Sequence, residues 1–415
     1  MKRVLLVMGL LGVTSLSAEE LLIKNVRLVE TSFQSGKVSD LRIVDGIITQ
    51  IGVDLVASAG ATIFDGEARA VTPGFIDSGT TIGLAEVQGL GVSRDGEQVD
   101  DDMTAGFQVY LALNEDSSLI PIATNDGITR GLIVPGAGDS NYAGQSALVR
   151  FKQGPTFLNE ETMAQHLYLR ERDRRRAGGS RSSALAAALK ALEESARYDK
   201  QRRAFNTNRN RSFDLDESDL VALSAVRRGE MPLVVQVDRA ADIIKVVTAF
   251  RSYPDLRLIL ASAAEAWKVA PLLFAENIPV LINVMENLPQ NFDRLGARLD
   301  QATLLADAGV TFAFLSGSPY SETRSLGQAA GVAVAQGLSW QQAIAAITSA
   351  PAAIWGLAGL GRIERGAIAD LVIWDGDPLE VTSAPLAVLI DGEWVDLETR
   401  QSALANRYVE LLNLK

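Results

Sequence analysis

Between residues 21 and 63 the apolar positions come in short runs, at 22–23, 26–28, 41–44 and 47–51. Alternation at period two turns one face of a strand toward a core. Asp45-Gly46, between the last two runs, is a strong hairpin signal. A small antiparallel sheet is predicted there. From residue 71 the pattern changes. Compact apolar runs at 75–76, 131–134, 144–151, 233–237, 256–260, 280–282 and 311–315 read as strands. Stretches of helical period at 240–250, 265–275 and 340–347 separate the later ones. Strand and helix in alternation predict a parallel sheet. Near the far end, residues 388–390 and Asp391-Gly392 supply one more strand and hairpin turn.

Residues 160–211 differ in kind. Positions 170–176 read R-E-R-D-R-R-R, and residues 180–198 are rich in Ala and Leu at helical spacing. Two inserted helices are predicted. The charge run reads either as a solvated face or as a docking surface or lid for a partner or an anionic ligand. His166 falls inside this stretch and reads as a solvent-facing helix residue, not as a ligand.

Composition narrows the chemistry. The 415 residues are 47% apolar, enough for a large core and against global disorder. A formal charge of −12 argues against nucleic acid as a partner. Without Cys there is no disulfide, thiol nucleophile or thiolate metal site. The one His excludes a multi-His site within a single chain. Pro135-Gly136-Ala137-Gly138 lacks the spacing of a dinucleotide-binding loop.

At the N-terminus, Lys2 and Arg3 precede an apolar stretch at 4–13 that is too short to span a bilayer. Small residues follow, so residues 1–18 are expected to be a signal peptide cut after Ser17 or Ala18. A periplasmic or secreted location is the expectation. No later apolar run is long enough for a membrane span.

Three segments carry a family resemblance. Val71-Thr72-Pro73-Gly74-Phe75-Ile76-Asp77-Ser78-Gly79-Thr80-Thr81 resembles the first-strand motif of the amidohydrolase superfamily, P-G-F-I-D-x-H-T-H. The runs over residues 21–30 and 41–52 look like that family's N-terminal sheet. Residues 361–379 resemble its G-x-I-x-x-G-x-x-A-D-L-V-V-x-D-x-D-P-L signature, with Asp370 and Asp375 read as turn and cap carboxylates. The resemblance extends to the periplasmic subgroup related to imidazolonepropionase.

It implies an α/β fold: a (β/α)₈ TIM-like barrel with a split β-sandwich satellite. The satellite would combine residues 19–70 and 361–397. The barrel would cover 71–360, with the helical insertion at about 160–211, and a C-terminal helix would take 398–415.

The resemblance also implies a divalent metal, usually zinc, but each implied ligand place holds another residue. Gly79 and Thr81 stand where the first strand has two His. Gln236 stands at the strand-five His and Ser262 at the strand-six His. Gly317 takes the place of the strand-eight Asp that serves as general base, and Arg150 that of the bridging Lys. Gly has no donor, a Thr hydroxyl is a weak neutral one, and Arg stays protonated.

Asp77, Asp238 and Glu286 lie near expected strand ends, where two convergent carboxylates could perform acid–base work. Asp77 and Asp238 are the weak catalytic candidates. The expectation is a metal-free pseudoenzyme that binds a small-molecule or peptide ligand, or that supports an active relative or a second copy of itself. The alternative is a working amidohydrolase cutting C–N bonds of cyclic amides or peptides, with ligands elsewhere in the chain or borrowed from a partner.

Overall fold

A computed structural model describes residues 19–29, 32–87, 90–99, 103–205, 213–286, 288–317 and 323–413. The expected signal peptide, residues 1–18, lies outside them, as do Ser318 and Pro319 of the strand-eight motif.

One sheet joins the two ends of the chain. Its first strands are β1 (Glu20–Val29), β2 (Gly36–Val44), β3 (Ile47–Gly52), β4 (Thr62–Asp65) and β5 (Ala70–Pro73). The barrel strands follow: β6 (Phe75–Thr80), β7 (Ile128–Ile133), β8 (Tyr142–Arg150), β9 (Leu158–Tyr168), β10 (Leu233–Val237), β11 (Leu258–Ser262), β12 (Val280–Ile282) and β13 (Phe312–Phe314). The chain then returns to the first sheet with β14 (Leu371–Trp374), β15 (Pro385–Ile390) and β16 (Glu393–Trp394).

The first sheet runs β16-β15-β14-β5-β1-β2-β3, with β4 beside β1. Leu371 pairs with Pro73 and Trp374 with Ala70, residues some 300 positions apart in sequence. The hairpin turns Asp45-Gly46 and Asp391-Gly392 both take left-handed backbone, with φ of 49° and 78° and of 53° and 79°. Their tips touch: a Cβ on Gly392 would lie 2.5 Å from the Gly46 Cα. Only glycine fits that approach at that φ.

The second sheet runs β13-β12-β11-β10-β9-β8-β7-β6 and is nearly closed into a barrel. At the seam the Gly317 amide donates to the Gly79 carbonyl at 2.7 Å. The expectation of a parallel sheet holds for most of it but fails at β8, which is antiparallel to both β7 and β9. The reason is chain length. The links from Ile133 to Tyr142 and from Arg150 to Leu158 are too short for a parallel crossover, which needs a dozen or more residues.

A second correction concerns residues 160–168. They are not helical but form most of β9. The helical part begins later, with a 3₁₀ segment over Glu171–Ala177. Helices α1 (Leu119–Thr124), α2 (Arg181–Phe205), α3 (Glu217–Arg227), α4 (Ala240–Phe250), α5 (Ala270–Ala275) and α6 (Gln301–Asp307) pack around the barrel with α7 (Leu326–Ala335), α8 (Trp340–Ala345) and α9 (Ser349–Trp355). A terminal helix, α10, spans Arg400–Asn413.

The barrel interior is filled by apolar side chains, among them Leu132, Leu148, Val234, Ile259, Leu281 and Ala313. His166 also points inward. It pairs in register with Val234 and so shares that residue's face. It is 2% exposed, and neither ring nitrogen has a hydrogen-bond partner among the described residues. This overturns its reading as a solvent-facing helix residue. Burial drives its pKa down to about 3, so the ring is neutral.

Candidate functional site at the barrel mouth

The C-terminal ends of the parallel strands open on two cavities. One, of about 460 Å³, is lined by Thr81, Val134, Tyr168, Gln236 and Gly317 below and by arginines above. The other, of about 450 Å³, is lined by Asp238, Ser262, Glu286, Asn291 and Arg294 with further arginines. Arg170 and Arg172 line both. The charged segment after β9 therefore crosses the mouth as a strap between the cavities.

Two buried carboxylates fasten the strap. Asp173, fully buried, accepts from Arg170 Nε at 2.9 Å and from Arg176. Arg176 Nη2 then donates to the Ala137 carbonyl at 2.7 Å, tying the strap to the loop after β7. Asp293 accepts from the Glu171 amide and from Arg181 at the start of α2. The Arg170 guanidinium also lies 4.8 Å from the centre of the Tyr168 ring, whose hydroxyl donates to the Pro135 carbonyl at 2.6 Å. The strap is thus held by three arginine–carboxylate pairs, while other arginines on it have no ion-pair partner among the described residues.

The residues at the implied ligand places separate into groups. Thr81, Gln236 and Gly317 line the first cavity, and Ser262 lines the second. Ser262 and Ala263 take positive φ, 67° and 46°, where β11 turns out of the barrel. Such backbone is uncommon for residues with a Cβ and tends to occur at sites. Gly79 faces the apolar interior instead. A Cβ there would meet Leu315 at 3.5 Å and Val134 at 3.6 Å.

Arg150 is not at the mouth at all. Because β8 runs backwards, its last residue lies at the opposite end of the barrel, where Nε donates to Asp391 at 2.7 Å. Among the described residues no group of three or more His, Cys, Asp or Glu side chains could hold a metal ion.

The two carboxylates singled out in the sequence do not converge on a common cavity. Asp77 is buried and accepts from the amides of Gly79 at 2.9 Å and Ser316 at 3.0 Å, and from the Ser316 hydroxyl. Ser316 in turn contacts Thr323, which contacts Thr80 at 2.7 Å. Asp77 thus braces the seam between β6 and β13. Burial pushes its pKa up to about 6, against the pull of those donors. Asp238 lines the second cavity, receives the Ala264 amide at 3.3 Å and lies 3.9 Å from Arg294.

At the opposite end stands a cluster whose pairing no motif signalled. Arg130 is 1% exposed and grips Asp370 with both Nε, at 2.6 Å, and Nη2, at 3.0 Å. It also contacts Asp391, which the Arg150 guanidinium shares. Asp370 also accepts the Asp391 amide of the hairpin turn at 2.8 Å, so it is a turn carboxylate and the buried partner of an arginine at once, and the quartet joins the barrel to the first sheet.

Residues 300–396 match the model of the amidohydrolase family. The amidohydrolase tasK of Hapsidospora irregularis is 25% identical over 394 residues, covering 85% of this chain. The chain spans only 39% of that relative's length. An amidohydrolase from Thermotoga maritima MSB8 has a similar fold, with a TM-score of 0.82 at 22% identity over 91% of this chain and 99% of that one. A prolidase complexed with N-methylphosphonate-L-proline superposes at a TM-score of 0.57 and 16% identity, covering 91% of this chain and 99% of that one.

The structure is therefore a mixed α/β protein with a nearly closed eight-stranded barrel sheet, a fold similar to that of the Thermotoga maritima amidohydrolase. In sequence, the likeness to the amidohydrolase family is carried by residues 300–396 and by the tasK relative.

Proposed function

We propose that this is an exported amidohydrolase-family protein that works without the family's metal, binding a small molecule or peptide at the barrel mouth or supporting an active relative. The observation that carries this reading is the donor set. At the mouth the implied ligand places hold Thr81, Gln236, Ser262 and Gly317, while Gly79 and Arg150 do not reach the same space. Neutral hydroxyl and amide oxygens of that kind do not fit a divalent ion that selects imidazole and carboxylate. A metal lowers the pKa of bound water from about 15.7 to about 7, on the order of 12 kcal/mol of activation. Asp238, which lines the second cavity, lies 3.9 Å from Arg294 and accepts a backbone amide, which suits a cap more than a base.

The mature chain is tested for hydrolysis of dipeptides, hydantoins and lactams with and without zinc or manganese. No metal-dependent turnover is expected. A metal-dependent rate that disappears in Asp238→Asn would make the protein a working enzyme. Export is tested separately: sequencing the N-terminus of the protein recovered outside the cytoplasm should begin at Ala18 or Glu19.

A further inference from the structure

We propose that Arg94 and the unpaired arginines of the strap form a binding site for a small molecule with two oxyanion groups, carboxylate or phosphate, one held in each cavity. The inference deepens the metal-free reading by naming the chemistry its ligand must have. Arg94 and Arg172 line the first cavity, and Arg172, Arg174 and Arg175 line the second. None of these four has an ion-pair partner among the described residues. Their neighbours do: Arg170 and Arg176 are neutralised by Asp173, Arg181 by Asp293, and Arg294 approaches Glu286 at 3.3 Å. The paired arginines fix the strap, and the unpaired ones are left to face the cavities.

This arrangement stands out in a chain with a formal charge of −12. The repulsion between Arg172 and Arg170 lowers the proton affinity of Arg172, as expected where positive charge accumulates. The acids that line the same space are Glu97 and Asp173 in the first cavity and Glu171, Asp238, Glu286 and Asp293 in the second; Asp173 and Asp293 are taken up by Arg170, Arg176 and Arg181, and Asp238 and Glu286 lie beside Arg294. Each cavity has the volume of a small-molecule site. Guanidinium groups bind carboxylate and phosphate through paired N–H donors. Arg172 borders both cavities, so one ligand with an anionic group at each end would engage it from both sides. Tyr168 and Gln236 would form the floor under the first group.

Calorimetric titration of the mature chain with pyrophosphate and with L-glutamyl-L-glutamate tests this, using sodium chloride at matched ionic strength as reference. Saturable binding of at least one of them is expected. Binding by pyrophosphate alone assigns phosphate, by the peptide alone assigns carboxylate, and by both supports the shared oxyanion chemistry. Arg172→Gln should weaken binding by about tenfold or more, the loss of a charge-assisted contact. The double variant R174Q/R175Q should also weaken it, and Arg362→Gln, remote from the mouth, should leave it unchanged.

Binding no stronger than that of chloride, or equal affinity in Arg172→Gln and wild type, would overturn the proposal. Metal content measured on the same samples separates the two readings. Stoichiometric metal with intact anion binding contradicts the metal-free reading alone. Metal-free protein that ignores both anions overturns the anion site alone.

Discussion

The two ends of the barrel spend similar residues on opposite tasks. At the end facing the first sheet, Arg130 and Arg150 are matched to Asp370 and Asp391, and Arg130 and Asp370 are almost wholly buried. Burial alone would raise the Asp391 pKa, but the two guanidiniums hold it below the usual carboxylate range. At the mouth the arginines outnumber the carboxylates that touch them, and several face open cavities. Charge that is buried and fully paired fixes a fold, because losing one partner strands the other in a poor solvent. Charge that is exposed and unpaired adds little to stability and remains available to a ligand.

The largest effect should come from the closed end. Arg130→Met leaves Asp370 buried without its cation and should cost about 3–5 kcal/mol in denaturant unfolding. Adding Asp370→Leu should recover much of that loss, since an apolar pair of similar volume replaces a buried ion pair at small cost. A single variant as stable as wild type would remove the contrast between the ends.

Between the ends, Asp77→Ala should cost about 3 kcal/mol, because two amides and a hydroxyl at the barrel seam lose their acceptor. The melting curve of the variant checks it.

His166 sharpens the comparison through pH. Its folded pKa is about 3 against 6.5 in solution. Between those values the unfolded chain takes up a proton that the folded chain refuses, so the contribution of His166 lowers stability as pH drops below 6.5. Asp77 acts in the opposite sense. With its folded pKa near 6, the folded chain holds a proton between pH 6 and about 3.8 that the unfolded chain has released, which favours folding as pH falls. His166→Leu removes the first contribution only. Relative to wild type it should gain about 2 kcal/mol between pH 8 and pH 5, whatever its packing cost at neutral pH. Parallel stability curves for the two proteins would show that the ring is not held neutral in a buried site.

The smallest effect should come from the mouth. Arg172→Gln or Arg175→Gln should change stability by less than about 0.5 kcal/mol, as for other exposed and unpaired side chains. A loss near that of Arg130→Met would mean that the strap is structural throughout.

Much of the framework is legible in the sequence, for identifiable reasons. The turns at Asp45-Gly46 and Asp391-Gly392 announce themselves because left-handed backbone selects those residue types. The buried barrel strands are continuous apolar runs. β9 is harder to see, since its first half carries exposed Glu160 and Glu161 and its pattern does not read as a strand. That concealment carried His166 with it.

The reversal of β8 could be read from the short links on either side, but the strand–helix alternation elsewhere obscured it. Arg150 was misplaced for the same reason: reversing the strand moves its last residue to the other end of the barrel. The pairing of Arg130 with Asp370 joins positions 240 residues apart, and the motif that holds Asp370 does not point to its partner. The charge run at 170–176 is plain in the sequence. How it is fastened is not, because Asp293 and the Ala137 and Gly138 carbonyls that anchor it come from distant loops.

The central claim is that the mouth has exchanged a metal site for uncommitted arginines and neutral side chains. Elemental analysis of the protein purified from its native host, after dialysis without chelator, tests it most directly. The account predicts no stoichiometric zinc, manganese or nickel. About one metal per chain, retained through dialysis, would contradict it, because retention requires several well-placed ligands.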